Sequence, residues 1–205
     1  MRFLPAGPSA VLVEVADPGQ VPGLQAEIER RRSQGWAPSL VDVVAGDRTI
    51  LLDGVADPDQ LAADIRSWPV RPAPPVTGPV IEIACSYTGP DLPEIAAQWR
   101  VSVPEAARIH AATLYQVAFC GFGPGFAYLA RVGEQRSVAR RDSPRTEVPA
   151  GSVALGGRYT AIYPWPSPGG WLLIGHTDAA VWDPDRDPAA LLSPGSRVRF
   201  TDAGP

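Results

Sequence analysis

In the first third of the chain, segments with the two-residue hydrophobic repeat of a β-strand alternate with segments that have the 3.6-residue repeat of an α-helix. Apolar residues alternate with polar ones in short runs, whereas Leu24 and Ile28 stand four positions apart, as on one face of a helix. Tight turns separate these runs. The pattern predicts a small α+β domain over residues 1–68. Its predicted elements are a strand at 9–15, a helix at 21–34, a hairpin of 39–44 and 48–53, and a helix from the N-cap Asp57 to Trp68.

A proline-rich segment at 69–79 separates this domain from the rest of the chain and predicts a stiff linker. After a strand at 80–84, capping boxes beginning at Asp91 and Ser102 predict two short helices. From Leu114 onward, short apolar runs alternate with turns, which is typical of a closed or nearly closed β-barrel. We therefore expect a mainly-β barrel domain over residues 80–205. Its apolar runs are 114–119, 152–155, 159–163, 171–174 and 197–200.

Composition excludes several classes of protein. The 205 residues are 45% hydrophobic and carry a net charge of −4, which argues against general binding of nucleic acid. No apolar run approaches the roughly 20 residues of a membrane span, so no membrane partner is expected. The N-terminal residues lack an apolar signal region, and we expect a cytoplasmic protein whose Cys85 and Cys120 are reduced.

The basic residues add a sharper constraint, because all 18 are arginine and none is lysine. A Walker-A phosphate loop and a catalytic lysine are therefore both excluded. The two cysteines and two histidines have no metal-ligand spacing, so we expect no metal site.

Three segments carry candidate chemistry. The glycine-rich run 121–129 permits close backbone approach to a ligand, but taken alone its composition favours a structural turn beneath an aromatic cluster. The turn 167–171 could expose amides to an anion or could form an ordinary hairpin. The segment 140–145 has three arginines that could clamp a carboxylate or phosphate, and a solvated loop is the alternative. His110, near a helix C-terminus that favours its protonated form, is a candidate for acid/base catalysis or anion binding, and a structural histidine is the alternative.

The second domain resembles a family that comprises the B subunit of 5-oxoprolinase, also known as allophanate hydrolase subunit 1, and a sporulation-kinase inhibitor. It is also similar to the carboxyltransferase portion of urea carboxylase. Two departures stand out: His176 and Asp178 follow Gly175 where the family has Gly-Arg-Thr-Pro, and Ser196 replaces an aspartate. The matching runs are 87–92, His110 with Tyr115 and Val117, 121–129, 143–145, 148–153, 162–164, 167–171, 194–195 and 198–200.

The resemblance implies a cyclophilin-like barrel and a share in the ATP-dependent opening of 5-oxo-L-proline to L-glutamate. It also implies partners similar to the C and A subunits of 5-oxoprolinase. Without a Walker-A loop, ATP is expected at the level of the complex, and the chain alone should be inactive. The alternatives are a subunit of allophanate hydrolase or urea carboxylase type and a non-enzymatic inhibitor of a histidine kinase.

The resemblance also implies roles for individual residues. Arg145 would bind a carboxylate or phosphate, while His110 and Tyr115 would orient the substrate or move a proton. The expected substrate-binding residues are Gly121, Phe122, Pro124, Gly125, Phe126, Tyr128, Ser152, Ser167, Pro168, Gly169, Gly170, Trp171 and His176.

Overall fold

The structure is a computed structural model that describes residues 1–69 and 77–204. The chain divides into two compact units, Met1–Pro75 and Val76–Pro205. Most of the predicted proline-rich linker, residues 70–76, lies outside the described residues. None of the described helices has the length and apolar character that a membrane span requires.

The first unit is a four-stranded antiparallel sheet, in the order β1-β2-β4-β3, with two helices. Its core joins alternate residues of the central strands, such as Val13 and Ile50, to one face of each helix, such as Leu24 and Ile65. The predicted α+β fold is confirmed, with one additional strand at the start of the unit. The elements are β1 Arg2–Pro5, β2 Ala10–Glu14, α1 Gln20–Arg32, β3 Asp42–Ala45, β4 Thr49–Asp53 and α2 Pro58–Ser67.

The second unit contains a seven-stranded sheet in the order β12-β9-β10-β7-β6-β13-β5 and a separate ribbon of β8 and β11. Two helices, α3 and α4, pack together near its start. The elements are β5 Val80–Cys85, α3 Leu92–Trp99, α4 Val103–Ala112, β6 Leu114–Cys120, β7 Ala127–Arg131, β8 Arg145–Val148, β9 Ser152–Gly156, β10 Tyr159–Ile162, β11 Ser167–Gly169, β12 Leu172–His176 and β13 Arg197–Asp202.

The two edge strands of the large sheet meet and nearly close it into a barrel. The Ser86 amide donates to the His176 carbonyl at 2.8 Å, and the His176 amide donates to the Ser86 carbonyl at 2.9 Å. Gly175 makes this approach possible, because a Cβ there would lie 2.4 Å from the Ser86 carbonyl oxygen. The predicted mainly-β barrel is therefore confirmed.

The ribbon of β8 and β11 brings two of the predicted chemical segments side by side. Arg145 pairs with Gly169, and Val148 pairs with Ser167. The arginine segment 140–145, which runs into β8, therefore lies beside the segment 167–171, whose first three residues form strand β11 and not the predicted turn. A further hydrogen bond, from the Arg141 amide to the Gly170 carbonyl at 2.9 Å, holds the two segments together.

The predicted helix starts are confirmed, but one of the predicted caps is wrong. The Ser102 hydroxyl accepts a hydrogen bond from the Glu105 amide, as a capping residue does. Asp91 stands at the N-cap position of α3, yet its side chain makes no capping bond. Its carboxylate points instead toward β12 and accepts from the Leu173 amide at 2.7 Å.

Candidate functional site

The three segments with candidate chemistry converge on one cavity of about 270 Å³ in the second unit. Each contributes one part of the wall: the glycine-rich run, the arginine segment and the segment 167–171, which contains β11. The three segments are therefore neighbours in the fold, and the binding roles of their residues stay a prediction. The lining residues are Phe122, Phe126, Tyr128, Arg140, Arg141, Pro144, Tyr163, Pro168, Gly169, Gly170 and Trp171.

Aromatic rings build the apolar part of the cavity. The Phe126 ring centroid lies 5.1 Å from that of Tyr128, 5.3 Å from that of Tyr163 and 5.8 Å from that of Trp171. All three pairs are edge-to-face, the arrangement that the aromatic quadrupole favours. Phe126, Tyr163 and Trp171 are also buried among β9, β10 and the ribbon. These walls are therefore held in place before any ligand binds.

The glycine-rich loop owes its shape to close contacts with tryptophan side chains. A Cβ at Gly123 would lie 2.5 Å from the Trp165 ring, and a Cβ at Gly125 would lie 2.6 Å from the Trp182 Cβ. Between the strands, Phe122 adopts a φ of +70° and leaves 60% of its surface exposed at the cavity mouth. A left-handed phenylalanine is strained, and such residues cluster at functional sites.

Two adjacent arginines supply the positive charge of the cavity. The Arg140 guanidinium lies 5.7 Å from the centroid of the Trp171 ring, a cation–π distance. Within residues 1–69 and 77–204, no carboxylate forms an ion pair with Arg140. Arg141 donates to the Asp91 carboxylate at 3.3 Å and to the Ser143 carbonyl at 3.3 Å. The sequence predicted that any of the three arginines of 140–145 could bind an anion, but only Arg145 was named as a site residue.

Arg145 lies behind the cavity wall. Its guanidinium donates to the Asp91 carboxylate at 2.8 Å, and only 22% of the side chain is exposed. Arg145 therefore forms an ion pair with the buried Asp91, while Arg140 and Arg141 line the cavity.

His110 and Tyr115 lie in the barrel core and do not line the cavity. His110 is fully buried: Tyr87 Oη lies 2.9 Å from its Nδ1, and Thr160 Oγ1 lies 3.0 Å from its Nε2. Since the Thr160 hydroxyl donates to the Ala154 carbonyl, Nε2 carries the proton and Nδ1 accepts from Tyr87.

Burial sets the charge of this histidine. Loss of solvation lowers the His110 pKa to about 3, with a smaller contribution from the Arg131 charge. The expectation that the helix C-terminus favours the protonated ring is therefore wrong. Burial also raises the pKa of Tyr115, whose ring centroid is 5.2 Å from that of His110.

The remaining predicted residues divide between the cavity and its surroundings. Ser152 pairs with His176 across β9 and β12. His176 lines a separate cavity of about 260 Å³, where its Nε2 lies 3.3 Å from an Asp178 carboxylate oxygen. Ser167 is buried on β11. Gly121, Pro124 and Gly125 belong to the glycine-rich loop but do not line the cavity.

Tyr163 and Pro144 are cavity residues that the sequence reasoning missed. Tyr163 lines the second cavity as well. The signal was present, because Pro144 and Tyr163 lie in the runs 143–145 and 162–164 that match the family. Cys85 is poorly suited to act as a nucleophile, since burial raises the pKa of its thiol to about 12. Among the described residues, no group of three or more metal-binding side chains is found.

Comparisons with known proteins agree with this architecture. The family described as carboxyltransferase domain, subdomain C and D, matches residues 1–192. The 5-oxoprolinase B subunit of Escherichia coli O157:H7 is 41% identical over 171 residues, covering 80% of this chain and 78% of that protein. The 5-oxoprolinase B subunit of Haemophilus influenzae is 34% identical over 218 residues, covering 100% of this chain and 99% of that protein.

A solved structure supports the same conclusion. The crystal structure of TTHA0988 superposes with a TM-score of 0.73 at 35% identity over 95% of this chain. The match covers 40% of TTHA0988, so this chain spans about two fifths of that protein's length. The chain belongs to the carboxyltransferase-domain family, subdomain C and D, and within it to the 5-oxoprolinase B subunits.

Proposed function

We propose that this chain is the B subunit of an ATP-dependent 5-oxoprolinase, which opens 5-oxo-L-proline to L-glutamate together with subunits of the A and C types. Relatives that bear this name cover most or all of the chain. The observation that carries the proposal is the cavity, in which aromatic walls and a pair of arginines stand together.

The cavity matches the chemistry of 5-oxoproline, a small flat lactam ring with one carboxylate. The ring packs against the aromatic wall, in which Phe122 is exposed and Trp171 is held by edge-to-face contact with Phe126. The carboxylate binds to Arg140 and Arg141, because a guanidinium fork pairs well with a planar carboxylate. Burial raises the pKa of the cavity tyrosines, so both phenols stay protonated at neutral pH and donate hydrogen bonds.

The types of side chain that line the cavity indicate which step of the reaction this subunit supports. Its polar side chains are arginines and tyrosines, and the chain has no lysine, so this subunit binds and orients the lactam. In the complete enzyme, ATP phosphorylates the amide oxygen and water attacks the activated carbon. The ring C–N bond then breaks to give γ-glutamyl phosphate, and a second water hydrolyses this acyl phosphate to glutamate and phosphate, with ADP left from the first step. We assign ATP binding and water activation to the partner subunits, so the chain alone should form no glutamate.

Reconstitution tests this function. The chain is mixed with A-type and C-type subunits, ATP and 5-oxo-L-proline, and glutamate is measured. We expect glutamate only from the complete mixture. A stable, complete complex that forms none would refute 5-oxoproline as the substrate and favour a urea-derived compound. Failure of any complex to form would favour the kinase-inhibitor alternative.

A further inference from the structure

Asp91 is a buried carboxylate that does not line the cavity but bonds to Arg141, which does, and to the strand that follows Trp171. It stands immediately before α3, and only 6% of its surface is exposed. The position would suit a helix cap, but the side chain makes no capping bond. A buried carboxylate needs compensating partners, because an uncompensated charge is costly to desolvate.

The partners of Asp91 come from both sides of the cavity. One carboxylate oxygen accepts from Arg145 at 2.8 Å and from Arg141 at 3.3 Å. The other accepts from the Leu173 amide at 2.7 Å, two residues after Trp171. The Asp91 side chain thus links the arginine segment to strand β12, which follows the cavity residue Trp171.

The cluster formed by Asp91, Arg141 and Arg145 carries a net positive charge. Two guanidinium groups, those of Arg141 and Arg145, share the one Asp91 carboxylate. Arg145 also has a buried nitrogen, Nη1, without a hydrogen-bond partner among the described residues. Arg141 completes the geometry, because it bonds Asp91 and lines the cavity at once.

We propose that Asp91 is the positioning residue of the anion end of this cavity: it holds Arg141, with Arg145 as a brace, in the orientation that binds the substrate carboxylate. The inference rests on the proposed function for the identity of that substrate. It assigns Asp91 no contact with the lactam, since Asp91 acts through Arg141.

Kinetics of the reconstituted complex separate positioning from general support of the fold. In Asp91→Asn the charge that orients the arginines is lost, so we expect the KM for 5-oxo-L-proline to rise about tenfold or more, while kcat changes less than about threefold. Asp91→Glu keeps the charge and should recover part of the loss. The matched control is Glu94→Gln, on the same helix, whose exposed carboxylate accepts a hydrogen bond from Gln98. A fall in kcat at unchanged KM would overturn the proposal, because a structural defect reduces the active fraction alone.

A second readout does not depend on activity. Phenylglyoxal modifies free guanidinium groups. The folded, full-length chain is treated with the reagent and then digested, and mass spectrometry of the peptides gives the rate of modification at each arginine. We expect Asp91→Asn to increase the rate at Arg141 and Arg145 several-fold, and Asp91→Glu to increase it less, with Arg108 as an internal reference. Unchanged rates would overturn the proposal. Increased rates in a chain whose complex forms no glutamate would refute the substrate and leave the positioning role standing.

Discussion

The buried histidine predicts how stability depends on pH. His110 is neutral in the folded chain because burial lowers its pKa to about 3, whereas an unfolded histidine titrates near 6.5. Between these values the unfolded chain binds one proton more than the folded chain. The stability that neutral His110 contributes is therefore fully present above about pH 6.5 and declines as the pH falls below that value.

The size of the effect follows from the two pKa values. Each pKa unit corresponds to about 1.4 kcal/mol, so lowering the pH from 7 to 5 should cost about 2 kcal/mol through His110. The ring nitrogens already have their partners in Tyr87 and Thr160, so a second proton on Nδ1 would also displace the Tyr87 hydrogen bond. Stability should continue to fall until the pH approaches 3.

Urea unfolding followed by circular dichroism at pH 7, 6 and 5 measures this slope. In His110→Gln we expect lower stability at pH 7 but a loss of stability about 2 kcal/mol smaller over this range. The matched control is His176→Gln, because this side chain is 51% exposed and lacks the burial that acts on His110. Equal slopes for wild type and His110→Gln would refute the reasoning, as would an NMR titration of His110 near its ordinary pKa.

Three further predictions concern the cavity and the thiols. Gly156→Ala places a Cβ 2.4 Å from the Trp171 ring, so overpacking should destabilise the chain by about 1–3 kcal/mol in urea unfolding. Arg140→Met removes a charge that lines the cavity and should raise the KM for 5-oxo-L-proline about tenfold, with unfolding unchanged. Cys85, whose thiol pKa is raised to about 12, should react with iodoacetamide at pH 8 only after unfolding.

Matched variants check each of these. Gly121→Ala is the packing control, because its nearest neighbour lies 3.9 Å from the added Cβ. Arg108→Met removes an exposed arginine that pairs with Glu105, away from the cavity. A Gly156→Ala variant as stable as Gly121→Ala, an Arg140→Met variant with the KM of Arg108→Met, or fast alkylation of native Cys85 would each contradict the corresponding prediction.

Local rules predicted most of the fold because many elements carry their own signals. Capping at Ser102 and the apolar periodicity of the helices mark their starts and faces within a few residues. Strand β1 was missed because its residues are exposed or half-buried, which leaves no alternation. Strands β8 and β11 were missed because they are short, and Ser167–Gly169 contains the turn residues proline and glycine.

The sequence identified the segments that form the cavity, but it did not predict how their side chains are oriented in space. Glycine and arginine content singled out all three walls, whereas the directions of Arg141 and Arg145 depend on one distant carboxylate, Asp91. A local capping pattern assigned Asp91 to its own helix, and tertiary contacts with Leu173 override that pattern. The charge of His110 was likewise set by burial, which its position in the helix does not show.

The position of β13 inside the large sheet has a consequence for biosynthesis. In the strand order of the described sheet, β5 lies at one end beside β13, and the parallel pairing joins Val80 to Arg197. In a chain growing on the ribosome, β5 emerges long before the strand that will pair with it. Such distant pairing slows folding and leaves an open strand edge exposed to other chains. The nascent second unit therefore depends on the last strand of the barrel for protection, and premature termination before residue 197 should yield an aggregating product.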